Sequence, residues 1–210
     1  MNEKLDIYDL DWNPLQIQDR KEFYTEIKQE YKEKWKITKK VKSIRLILMN
    51  SLWRIYLQKR SNSKKQNSWL YDKSVWGHVV SWDSYNLTVI KECAEELWFP
   101  ATVLSNEDFL KSIKITDLNI IWIFREVDFL ENFISARKNN DWTEISQPFI
   151  TPIYIWYYDW PIKFVDWESS WIEVFSLEEL EKEISNNPDK FTEDIKFMIE
   201  NYKEYLIPIK

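Results

Sequence analysis

The sequence predicts an α/β chain of the α+β type, and three observations point there. Apolar runs of strand length recur, most clearly at 41–49 and 149–158. Between and around them stand helical periods: Phe23, Ile27 and Tyr31 at four-residue steps, and later Ile195, Met198, Ile199 and Tyr202 on one face. With 210 residues, 44% of them hydrophobic, the chain is long enough for one well-packed domain. That domain is expected to span 1–210, with its core at about 40–185.

In order, 5–10 fits an edge strand closed by a turn at Asp11 to Pro14, and 20–34 an amphipathic helix. Residues 41–49 and 54–59 form a hairpin across Asn50-Ser51-Leu52-Trp53. The second half of the stretch 75–99 reads as a helix, where Leu87, Ile90, Ala94 and Leu97 give one apolar stripe. Helix signals at 105–113 precede a strand at 118–127, while the polar stretch 128–147 has no assignable period. Pro152 marks the strand at 149–158 as an edge or a bulge. Strands at 161–165 and 171–175 complete the sheet. Ser176 with Glu179 is a capping box that opens a helix to about Ile184, and a last helix runs over about 192–205.

Net charge is −6 and pI about 5.1, which argues against a nucleic-acid binder. From Lys34 through Leu70 there is nevertheless no acid, a basic segment suited to an anionic substrate or to a solvated face. Cys93 is the single cysteine and fits a small buried hydrophobe. No apolar run approaches membrane-spanning or signal-peptide length, so no membrane partner and a cytoplasmic setting are expected.

Chemistry concentrates at 77–98. On a helix, Glu92, Glu95 and Glu96 are related by i,i+3 and i,i+4, so their carboxylates converge on one side. Hard divalent cations such as Mg²⁺ take oxygen ligands of this kind together with substrate phosphates. These residues resemble the Nudix box: Gly77, Asp83 at the first acid, Lys91-Glu92 for Arg-Glu, Cys93 at the aliphatic, Glu95-Glu96, and Trp98 at the closing glycine. Every spacing of the box holds; Asp83, Lys91 and Trp98 depart in identity. The resemblance implies a mixed sheet sandwiched between helices and Mg²⁺-dependent hydrolysis of a nucleoside diphosphate derivative, with Mn²⁺ able to replace Mg²⁺. Glu92, Glu95 and Glu96 would then be metal ligands and catalytic residues. Lys91 would orient the acids, Asp83 would tie the loop to the helix, and Lys59, Arg60 and Lys64 would contact outer phosphates. His78 is a further candidate ligand, and a small-molecule substrate and a homodimer are the partners compatible with the family.

Leu57-Gln58-Lys59-Arg60-Ser61 and the basic loop after it are similar to the branch of the family related to isopentenyl diphosphate isomerase. That branch's isomerases carry a catalytic cysteine within the segment 74–79, and this chain has none there. Hydrolysis is therefore preferred over isomerisation, and a binding protein on the same fold is the alternative.

The composition adds a second expectation. At ordinary usage, roughly 7%, a chain of this length holds about 15 glycines. This one has 1 Gly and 13 Trp. Trp12, Trp82, Trp142 and Trp160 stand beside Asp, Asn or Pro as turn glycines do, Trp53 falls in the Asn50 hairpin turn, Trp76-Gly77 reads as Gly-Gly, and the tryptophans are expected to avoid strand centres. Most of these tryptophans therefore read as glycine positions, as a UGA codon decoded as glycine by some bacteria and as tryptophan by others would produce. The competing reading is a Trp-rich protein with stacking platforms for sugars or bases.

Overall fold

The computed structural model describes residues 3–97, 101–139, 143–159 and 169–206, with the backbone alone at 96, 97, 169 and 170. Ten strands form one mixed sheet. They are β1 (Lys4–Tyr8), β2 (Pro14–Asp19), β3 (Lys40–Met49), β4 (Ile55–Arg60), β5 (Tyr71–Asp72), β6 (Val75–His78), β7 (Ala101–Leu104), β8 (Trp122–Lys138), β9 (Glu144–Tyr157) and β10 (Ser169–Phe175). The helices are α1 (Arg20–Lys34), α2 (Tyr85–Leu97), α3 (Asn106–Ser112), α4 (Leu177–Asn186) and α5 (Glu193–Tyr202). The main path runs β10-β4-β3-β9-β8-β7, with β3 parallel to β9, β7 parallel to β8, and the other neighbours antiparallel.

Strand β3 organises the molecule, because alternate residues of one strand face opposite sides of a sheet. Ile44, Leu46 and Leu48 pack with Val75, Val89 and Cys93, placing α2 on one face. Ile47 and Met49 pack on the other with Ile195, Met198 and Ile199 of α5, while Val41 packs with Phe23 and Ile27 of α1. Helices thus cover both faces. The capping box of α4 forms as expected: Ser176 and Glu179 satisfy each other's backbone N–H groups.

Several elements differ from expectation. Strand β1 pairs with both β2 and β3 and is not an edge. Strands β2 and β7 carry no clean alternation and were not foreseen. Strand β8 begins at Trp122 and extends through the polar stretch to Lys138, pairing with β9. Its exposed face accounts for the polarity. Pro152 lies in β9 between β3 and β8, opposite Phe129, where register shifts on either side form a bulged stretch. The expected strand at 161–165 and the turns at Trp142 and Trp160 lie outside the described residues.

The backbone singles out the tryptophans. Among the described residues six non-glycine residues have positive φ, and five of them are Trp12 (73°), Trp35 (53°), Trp53 (66°), Trp69 (63°) and Trp82 (77°). Each occupies a glycine station. Trp35 closes α1 in the left-handed conformation, its N–H bonded to the Tyr31 carbonyl. Trp12 and Trp53 end turns begun by Asp9 and Asn50, donating to those residues' carbonyls at 3.4 and 3.0 Å. Trp69 and Trp82 are third residues of turns closed by Leu70 N–H to Asn67 O and Asp83 N–H to Val80 O. Trp76, Trp156 and Trp171, however, lie within strands, which corrects the expectation that tryptophan avoids them. Trp122 and Trp156 are buried, with ring centroids 4.1 Å apart.

Candidate functional site

Helix α2 and strand β6 build the candidate site. In β6, Val75 and Gly77 face α2, while Trp76 and His78 face the opposite side with Arg45 and Ser43 of β3. Ser84 opens α2 by accepting from the Leu87 N–H at 3.1 Å and the Thr88 N–H at 3.0 Å. The buried side of α2 is Thr88, Val89 and Cys93; Leu87 and Ile90, 40% and 42% exposed, and Ala94 face outward. The apolar stripe read from the sequence is therefore not the packed face. Small and β-branched side chains fit the close approach of α2 to β3 and β6, and this rotation turns Glu92 toward β6.

Gly77 is the chain's one glycine, and its bare Cα is used. A Cβ there would lie 2.6 Å from Glu92 Cδ and nearer still to Oε1, so the Glu92 carboxylate occupies the space a side chain would need. Glu95 is exposed on the next part of the helix. The Glu96 side chain and Trp98 lie outside the described residues. Lys91 Nζ pairs with Asp83 Oδ2 at 2.7 Å, an ion pair between α2 and the loop before it. Of the three candidate ligands, the Glu92 carboxylate is set into a slot left open by glycine, an oxygen donor of the kind Mg²⁺ takes. Among the described residues no three His, Cys, Asp or Glu side chains already converge.

The other predicted residues separate. Lys59 lies over the Tyr71 ring at 3.8 Å, its pKa lowered by burial and then by Lys190. Arg60 pairs with buried Asp72 at 3.1 Å and donates to the Gln66 carbonyl. Lys64 sits in the loop after β4, its N–H bonded to the Ser61 carbonyl. His78 is buried among aromatic rings, with Nε2 2.7 Å from the Tyr24 hydroxyl. Burial, then the charges of Arg20, Arg137 and Arg45, hold its pKa well below the ordinary imidazole value.

A neutral buried histidine makes stability pH-dependent. Its folded pKa is depressed, so stability is complete above the unfolded value near 6.5 and falls as pH drops below it. Urea titrations between pH 5 and 6.5 are expected to lose up to about 1.4 kcal/mol per pH unit. His78→Gln should flatten that window; an unchanged slope would remove His78 as its cause.

Sequence reasoning missed an ionic cluster on the face away from α2. Asp194 of α5 accepts from Arg45 Nε at 3.1 Å, Lys73 Nζ at 2.9 Å and Ser135 Oγ at 2.7 Å. Asp72 accepts from Lys73 Nζ, Arg60 and Thr192. Burial pushes both carboxyl pKa values up, but Lys73 with Arg45 for Asp194, and Lys73 with Arg60 for Asp72, pull them below the usual range. Arg45 and Lys40, read within an exposed basic segment, are fully buried.

No protein-family model and no curated protein matches the chain. Solved structures do. DR0079 from Deinococcus radiodurans, described in its solution structure as a hypothetical Nudix protein, aligns over 94% of this chain and 98% of its own. Its identity is 18% and TM-score 0.62. The fold is the Nudix fold. The MutT protein from Methanosarcina mazei Go1 aligns over 78% of this chain and 92% of its own, at 15% identity and TM-score 0.50.

Proposed function

We propose that the chain is a Nudix-type hydrolase that cleaves a diphosphate linkage in a nucleoside diphosphate derivative or related compound, using Mg²⁺. The observation that carries this reading is the Glu92 carboxylate seated over Gly77 at the box spacing, on a helix docked as in the Nudix fold. Glu92, Glu95 and Glu96 would hold the cation, with Mn²⁺ as a substitute. When bound, it would supply charge neutralisation of the diphosphate and a bound water of lowered pKa. Lys91, engaged with Asp83, positions the loop against the helix, and Arg60 is the one predicted phosphate contact that faces the buried cluster. Leu57 to Ser61 resemble the isomerase-like branch, but 74–79 holds no cysteine; Cys93 belongs to α2 and is buried in the cluster with Val75 and Val79.

The same reading includes glycine at most tryptophan positions in the source protein, supported by the five left-handed tryptophans. The test is Mg²⁺-dependent release of phosphate or nucleotide from a panel of diphosphate compounds, on this chain and on a glycine-restored chain. Glu95→Gln and Glu96→Gln in the restored chain are expected to lower turnover by about 10³-fold, several kcal/mol of lost charge stabilisation. A folded restored chain that binds the compounds without turnover would assign a binding role instead.

Gly77→Ala isolates the carboxylate slot. The atom that must yield is the end of a flexible side chain, so the thermal midpoint should move little. Mg²⁺ affinity should fall by about 10–100-fold as Glu92 is displaced. Unaltered metal titration would show that Glu92 is not a ligand.

A further inference from the structure

The indole of Trp76 fills a slot with charged walls. On its rim lie the His78 ring at 4.6 Å between centroids, the Arg137 guanidinium at 4.6 Å and Lys73 Nζ at 5.9 Å. A residual cavity of about 20 Å³, room for about one water, adjoins it and is lined by Arg60, Asp72, Lys73, Ser135 and Asp194. Four cations, Arg45, Arg60, Lys73 and Arg137, face two carboxylates, Asp72 and Asp194, which leaves two positive charges over.

The surplus is concentrated at two guanidinium groups. Arg137 makes no ion pair within 4 Å among the described residues, attracts Asp194 only at longer range and rests on the rings of Trp76 and Phe149. Arg45 is 0% exposed, yet its Nη2 has no hydrogen-bond partner. The same holds for Trp76 Nε1 and His78 Nδ1. Buried donors are normally satisfied, and a buried indole N–H usually finds an acceptor. A buried guanidinium N–H without an acceptor at Arg45, beside a half-buried Arg137, leaves positive charge that an anion would balance.

We propose that this slot is an anion pocket and that, with a small residue at position 76, it takes a phosphate group held by Arg137, Arg45 and Lys73. Guanidinium groups match phosphate oxygens in bidentate fashion, and Asp194 and Asp72 orient the cations without neutralising them. The pocket lies beside β6, whose other face carries Gly77 and Glu92. The proposal rests on reading Trp76 as a glycine position and is independent of turnover.

The test is calorimetric titration of Trp76→Gly with pyrophosphate, with inorganic phosphate and with a nucleoside diphosphate, in EDTA so that metal and hydrolysis play no part. Saturable binding is expected, weakened about tenfold or more in the parent chain and in Trp76→Gly/Arg137→Ala. Trp76→Gly/Lys65→Ala, which removes an exposed lysine of the basic loop, should bind as Trp76→Gly does. Tighter binding of the nucleoside diphosphate than of inorganic phosphate assigns the pocket to substrate; the reverse assigns it to free phosphate. A folded Trp76→Gly that shows no saturation at about 10 mM anion, or equal loss in the Lys65 and Arg137 variants, overturns the proposal. If Trp76→Gly, Trp76→Ala and Trp76→Ser all fail to fold, the indole is structural core and the proposal is likewise overturned.

Discussion

Replacing Trp12, Trp35, Trp53, Trp69 and Trp82 together by glycine is expected to raise the thermal midpoint by on the order of 10 °C. A bulky residue at positive φ costs about 1–3 kcal/mol. Glycine returns part of that through the entropy of the unfolded chain, about 0.4–1 kcal/mol per site. Little burial is lost in exchange, because Trp35 and Trp82 are 79% and 87% exposed and Trp53 is 51% exposed. Trp12 contributes least, since it stacks near Tyr8 and Phe129 and lies under Lys40. A net gain of several kcal/mol corresponds to about 2–4 °C per kcal/mol in a chain of this size. Trp156→Gly should go the other way, losing about 3–5 kcal/mol, because that indole is buried against Trp122 and Phe124. A scanning melt of the two variants decides the matter. An unchanged or lower midpoint in the five-site variant removes the structural support for glycine at those turns.

The part of the site that was legible in the sequence is the part that is local. Gly77, Asp83, Lys91 and Glu92 lie within sixteen residues, and their spacing survives folding as a loop tied to one helix. Turn chemistry was legible for the same reason, within a few residues: the turn expected at Asp11 to Pro14 starts at Asp9 and ends on Trp12, and the Asn50 turn ends on Trp53. Hydrophobicity alone misjudged the face of α2, because Leu87 and Ile90 score as core while Thr88, Val89 and Cys93 are small enough for the close helix–sheet approach. Strand β8 escaped because its outward face is polar and only its partner β9 reveals it. The ionic cluster had no local trace at all. Arg45 and Asp194 are separated by 149 positions, and Lys73 and Asp194 by 121.

Asp194→Ala is expected to be the most damaging single change among the described residues of the ionic cluster, costing about 3–5 kcal/mol. The carboxylate accepts from Arg45, Lys73 and Ser135, all at most 5% exposed, and its removal strands two buried cations. The loss exceeds what the hydrogen bonds themselves contribute, since each stranded group keeps its desolvation penalty. Arg45→Met/Asp194→Leu, which removes a charge of each sign, should recover part of the loss by filling the volume with apolar atoms. The acid limb follows from the same geometry. Asp194 has a depressed folded pKa, so its contribution is present above the unfolded value near 3.9 and is lost as pH falls toward the folded value. In wild type this places a second loss of stability below about pH 4, separate from the His78 window above it. Denaturant titrations of the three proteins from pH 3 to 7 read both effects. A double variant no more stable than Asp194→Ala would mean that packing around α5, rather than charge pairing, is what Asp194 secures.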